Sequence, residues 1–101
     1  MANKKLKFNS RTIHGGQQPD KAYGSVMPPV YFTSTYTQEK PGIHLGYEYS
    51  RSHNPTRTAL EALLANIESG AHALAFASGM AAIDAVIKLL KPGDEVISTN
   101  D

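Results

Sequence analysis

The stretch "AHALAFASGMAAIDAVIKLLKPGDEVIST" runs from Ala71 to Thr99, and its two changes of period decide the fold. In Ala71–Ala77, Leu74 and Phe76 fall on one side of an alternating chain, and Ala73, Ala75 and Ala77 fall on the other. A face of alanines lets a helix approach closely, so the spacing predicts a buried strand. From Ser78 the period becomes helical: Met80, Ile83, Ile87 and Leu90 form one stripe. Val86 and Leu89 widen it until only Asp84, Lys88 and Lys91 remain polar, which predicts a mostly buried helix with Ser78 as its cap. Pro92-Gly93 breaks the helix, and Glu95–Thr99 reads as a second strand. Strand, helix and strand in that order make a βαβ unit, which implies a parallel sheet covered on both faces. One such unit leaves a sheet face bare. The sequence reaches Asn100-Asp101 directly after a strand, where α/β proteins place functional loops, so the expectation is the front part of a larger protein.

Working outward, "NPTRTALEALLANIESG" (Asn54–Gly70) carries the signature of another helix. Asn54 can cap it, and Pro55 suits a first position where no backbone donor is needed. Leu60, Leu63, Leu64 and Ile67 make an apolar stripe, Arg57 and Glu61 can pair weakly, and Gly70 marks the end. Ahead of Asn54 lie four of the six prolines and five of the eight glycines, and no helical period is visible. Val30–Tyr36 is one short β-prone run, and turns are expected at Gly15-Gly16 and Pro41-Gly42. Residues 1–53 are therefore read as an extended arm and loop that lies on the rest of its own chain or on another subunit, and residues 54–101 as the start of an α/β domain.

Composition narrows the partners. The 101 residues are 41% hydrophobic and 19% charged, as in an ordinary soluble folded chain. A net charge of +1 argues against a nucleic-acid partner, and the N-terminus has no apolar run for a signal peptide or membrane helix. Lys4, Lys5, Lys7 and Arg11 are candidate phosphate-backbone contacts for a small nucleic-acid binder, but a solvated arm explains them more simply. The absence of cysteine excludes a disulfide scaffold and a zinc–thiolate site, and a cytoplasmic location is expected. His14, His44, His53 and His72 show no metal-ligand spacing, and proline disqualifies Asn54-Pro55-Thr56 as a glycosylation sequon.

Two loops carry candidate chemistry. Ser78-Gly79-Met80 opens a helix, where free backbone donors and the helix dipole favour an anion and Gly79 keeps a Cβ out of the way. Tyr49 and Arg51 are two apart, so in an extended segment they share a face, and a guanidinium beside a phenol can grip a phosphate. Taken alone, the first is more simply a helix cap and the second a packed surface pair. Neither a P-loop nor a G-x-G-x-x-G occurs.

Together these segments resemble a known family. "GYEYSRSHNPTRTALEALLANIESG" (Gly46–Gly70) and "ALAFASGMAAIDAVIKLLKPGDEV" (Ala73–Val96) are similar to the Cys/Met-metabolism, or transsulfuration, enzymes that depend on pyridoxal phosphate. The likeness covers roughly residues 25–101. It implies a large α/β domain of the aspartate-aminotransferase type (fold type I), and a homotetramer built from two active dimers. It further implies that Tyr49 and Arg51 reach the phosphate of a cofactor held by the partner subunit, while Gly79 and Met80 supply backbone donors to the cofactor within their own subunit. Such a cofactor withdraws electrons from a substrate carbon, and a buried lysine holds it and shuttles protons. Lys4, Lys5, Lys7, Lys21 and Lys40 lie in the arm and Lys88 and Lys91 on a polar helix edge, so the catalytic lysine is expected beyond these residues and the chain alone is expected to be inactive.

The run "YEYSR" is nearer to cystathionine γ-synthases and γ-lyases than to methionine γ-lyases, which tend to carry phenylalanine there, or to bacterial β-lyases, which usually lack the motif. Glu48, beside Tyr49 and Arg51, is a candidate for steering a substrate amino group, or else a solvated loop residue. His53 stands where the family commonly has glycine. The competing reading is a non-catalytic fragment that only docks on a full-length enzyme subunit.

Overall fold

A computed structural model describes residues 6–100. Lys4 and Lys5 of the expected basic arm lie outside the described residues. In chain order the elements are α1 (Phe8–His14), β1 (Gln38–Lys40), β2 (Ile43–His44), α2 (Pro55–Ile67) and α3 (Gly79–Ile87).

Helix α2 forms as its sequence dictates. The Asn54 side chain accepts a hydrogen bond from the Thr56 N–H at 2.8 Å, and Pro55 occupies the first turn. Its C-terminus differs from expectation by one position. Ser69 adopts the left-handed conformation (φ 57°), with its N–H on the Asn66 carbonyl and that of Gly70 on the Ala65 carbonyl. This is a Schellman closure with serine where glycine usually stands.

Helix α1 was not legible in the sequence. It has seven residues and no side-chain cap, so propensity alone does not hold it. A tertiary contact does: Arg11 donates from Nε to Asn66 Oδ1 (3.0 Å) and from Nη2 to the Ile67 carbonyl (3.1 Å) and Ser69 Oγ (3.2 Å). A guanidinium there satisfies the Ile67 carbonyl, which the helix end leaves orphaned, and meets the negative end of the dipole. Arg11 is therefore a clasp on α2 and not the phosphate contact considered above. The turn at Gly15-Gly16 forms as expected and brings the arm close: a Cβ on Gly16, at φ 68°, would lie 2.3 Å from the Ala62 carbonyl oxygen.

The turn at Pro41-Gly42 also forms. It joins β1 and β2 in an antiparallel hairpin, with Gly42 at φ 79°, the position that a proline–glycine turn of type II reserves for it. The β-prone Val30–Tyr36 run joins no strand apart from an isolated antiparallel bridge between Thr35 and Tyr49.

The predicted βαβ unit is realised at its helix and not at its strands. Ser78 caps α3 through the Ala81 N–H (3.2 Å). The helix ends at Ile87, a turn before Pro92-Gly93, as the Leu89 and Leu90 N–H groups close back on Val86 and Ile87. The flanking segments 71–77 and 95–99 join no sheet. A strand needs a second strand beside it to pair its backbone groups, and among the described residues neither segment forms a β-bridge; the Ala75 N–H is taken instead by the Glu61 carboxylate at 2.9 Å.

The expected burial is missing as well. Phe76 is 44% exposed, Ile83 52% and Ile87 56%, and no hydrophobic residue is buried among those described. The radius of gyration is 17.5 Å, where a folded domain of this length has about 13 Å. The chain presents apolar surface that it does not itself cover.

Candidate functional site

The loop that carries Tyr49 and Arg51 is pinned on both sides. The Tyr36 N–H donates to the Glu48 carbonyl (3.1 Å), and the Ser50 N–H donates to the Ser34 carbonyl (2.8 Å). Tyr36 and Tyr47 rings pack with centroids 5.8 Å apart, and the Tyr47 hydroxyl reaches Thr58 Oγ1 at 3.2 Å. Residues 49–53 then turn instead of running extended: the Ser52 and His53 N–H groups both close on the Tyr49 carbonyl, at 3.0 and 2.9 Å. The shared face inferred from an extended segment is thus replaced by a turn, because these backbone bonds and the helix start at Pro55 leave no room for a strand.

The turn nevertheless brings the pair together. Arg51 Nη2 donates to the Tyr49 hydroxyl at 3.0 Å, and the guanidinium carbon lies 5.3 Å from the ring centroid. Both side chains face solvent, and among the described residues Arg51 forms no ion pair. Most of its donors remain open, and the phenol proton is free to point at an anion. Glu48 is exposed beside them. His53 sits in ordinary backbone, since Ser69 is the only described non-glycine residue with positive φ; the loop here does not require glycine.

Gly79 and Met80 occupy the first two positions of α3, where backbone N–H groups have no intrahelical acceptor. A Cβ on Gly79 would meet nothing within 4 Å, so neither packing nor backbone conformation within the chain calls for glycine, and the helix start is open to an incoming group. No described hydrogen bond or ion pair joins Tyr49 or Arg51 to Gly79 or Met80. The chain carries two candidate anion-binding groups. Each fits a phosphate ester: an unpaired guanidinium with a phenol, and open backbone donors at a helix N-terminus.

The described lysines, Lys7, Lys21, Lys40, Lys88 and Lys91, are all exposed. Among the described residues, no group of three or more histidine or acidic residues is placed to hold a metal and no helix is long and apolar enough to cross a membrane.

Sequence reasoning missed how the loop is held. Asn54 serves as more than a cap: its Nδ2 donates to Ser50 Oγ (3.0 Å) and to the Tyr31 carbonyl (3.1 Å). Ser50 Oγ in turn donates to the Thr33 carbonyl, and the Tyr31 N–H donates to Thr56 Oγ1 at 2.9 Å. Only the coincidence of Ser50, Asn54 and Thr56 around the pair hinted at this.

The family model for Cys/Met metabolism PLP-dependent enzymes matches residues 9–101. The chain belongs to this family. It is 56% identical over 99 residues to a cystathionine β-lyase of Coxiella burnetii, covering 98% of this chain and 26% of that protein. It is 52% identical over 94 residues to a probable cystathionine γ-synthase of Herpetosiphon aurantiacus, covering 93% and 30%. The crystal structure of cystathionine γ-lyase from yeast superposes with a TM-score of 0.76 at 37% identity, over 90% of this chain and 23% of that one. The chain thus spans about a quarter of the length of the relatives it matches. Similarity to a β-lyase is as high as to a γ-synthase, so overall identity does not separate these activities in the way the motif-level expectation did. Family membership gives the α/β fold of the pyridoxal-phosphate enzymes and their cofactor.

Proposed function

We propose that this chain is the N-terminal portion of a pyridoxal-phosphate enzyme acting on cystathionine or a related sulfur amino acid, by γ-replacement or elimination. The supporting observation is the Arg51–Tyr49 pair: an exposed guanidinium with no carboxylate partner among the described residues, hydrogen-bonded at 3.0 Å to a phenol. When bound, the cofactor supplies an electron sink for the substrate carbon. In this reading Arg51 and Tyr49 grip its phosphate and fix its orientation, and Gly79 and Met80 give backbone donors to a phosphate from the start of α3. Glu48 attracts the ammonium group of the incoming amino acid.

The apolar surface that the chain leaves uncovered supports a partner subunit, and in this reading the Tyr49–Arg51 clamp is contributed in trans. Residues 1–53 dock on a partner subunit, residues 54–101 begin the cofactor domain, and the assembly is a homotetramer of two active dimers in the cytoplasm. The lysine that binds the cofactor lies outside these residues, and the chain alone is inactive. The alternative of a docking fragment without chemistry has no observation in its favour.

The test is cofactor retention in the full-length enzyme. Arg51→Ala is expected to weaken cofactor binding about a hundredfold, the scale of a charged hydrogen-bonding group removed from an anion. Mixing Arg51→Ala subunits with subunits that lack the cofactor lysine is expected to restore activity in hybrid dimers. Undiminished cofactor affinity, or no recovery on mixing, rejects the trans clamp.

A further inference from the structure

We infer that Asn54 and Ser50 are positioning residues that aim the Tyr49–Arg51 pair at the anion; this rests on the reading of that pair as the phosphate clamp. Asn54 uses every hydrogen-bonding group of its amide. Oδ1 accepts from the Thr56 N–H (2.8 Å), while Nδ2 gives one proton to Ser50 Oγ (3.0 Å) and the other to the Tyr31 carbonyl (3.1 Å). Ser50 stands between Tyr49 and Arg51 and is half-buried, whereas they face solvent. Its hydroxyl accepts from Asn54 and donates to the Thr33 carbonyl, and its N–H donates to the Ser34 carbonyl (2.8 Å). Both sides of the residue between the clamp side chains are therefore fastened, one to the strap at 31–34 and one to the start of α2. Neither Asn54 nor Ser50 belongs to the clamp itself. They hold the turn from which Tyr49 and Arg51 project, so that the guanidinium and phenol meet an anion without reordering.

Capping and positioning separate chemically. Aspartate caps a helix as well as asparagine does but has no protons for Ser50 and Tyr31. The experiment measures binding of pyridoxal phosphate and of pyridoxal, which lacks the phosphate, to the full-length apoenzyme, together with the denaturation midpoint. Asn54→Asp and Ser50→Ala are each expected to weaken pyridoxal phosphate roughly tenfold while leaving pyridoxal unchanged, and to lower the midpoint less than Asn54→Ala does. Ser50→Ala adds no charge, so agreement between the two excludes a purely electrostatic effect of the new carboxylate, and it decides the matter alone if Asn54→Asp fails to fold. Ser50→Thr, which keeps the hydroxyl, is expected to retain the preference for the phosphorylated form. Folded Asn54→Asp and Ser50→Ala with wild-type affinity overturn the inference while Arg51→Ala still loses affinity. An Arg51→Ala variant that also keeps its preference for the phosphate overturns the clamp reading itself.

Discussion

The segment from Tyr31 to Thr58 and the segment from Ala71 to Thr99 solve the problem of holding a chain in opposite ways. The first is held by polar contacts, although Phe32 and Leu45 stand exposed on it: Asn54, Ser50, Thr56 and Tyr47 tie it together by hydrogen bonds that close within the chain. The second is apolar and open. Its helix has one internal ion pair, Asp84–Lys88, while Leu74, Val86, Leu89 and Ile97 lie largely exposed. Directional bonds can fix a loop without a core. Burial cannot act until another surface arrives. A site on the first kind of segment is organised by its own chain, and one on the second needs its neighbours.

The largest expected effect breaks the comparison at the apolar side. Residues 1–101 produced alone are expected to show no cooperative thermal transition by circular dichroism, because no hydrophobic residue is buried among those described and α1 and α3, at seven and nine residues, are too short to persist alone. A sharp two-state melt contradicts this. The next sharpens the polar side: Asn54→Ala removes a cap and two donated bonds and is expected to cost about 2 kcal/mol in denaturant unfolding of the full-length enzyme, well above Asn54→Asp. Arg11→Ala, which unfastens α1 from α2, is expected to cost about 1.5 kcal/mol by the same measurement. Smallest is Lys88→Ala. Its pair with Asp84 spans 2.6 Å but is 73% and 59% exposed, so the change is expected to stay below about 0.5 kcal/mol.

What the sequence revealed follows the same division. Asn54 and Ser78 as caps, the stripe of α2, that of α3 as far as Ile87 and the turns at Gly15-Gly16 and Pro41-Gly42 depend on neighbours a few positions away, and these are present; Leu90 falls beyond the helix. Helix α1 was missed because its support comes from Asn66, Ile67 and Ser69, more than fifty positions later; Arg11 and His14 ahead of Gly15 were the available signal for its end. The hairpin strands escaped notice because Gln38–Lys40 is polar and exposed throughout. The strands expected around α3 require lateral partners that no periodicity can supply. At the site, the two-residue spacing identified Tyr49 and Arg51 but misjudged their backbone, since the turn is set by contacts with Ser34 and Tyr36 across the strap.

The clasp of Arg11 on the end of α2 has a geometric consequence. The segment between Gln17 and His53 is tethered at its root through Arg11 and at its far end through Asn54, both to the same helix. It is a handle and not a streamer. Whatever surface it meets, it meets as a closed loop whose span was limited in advance, so less freedom is left to lose on contact.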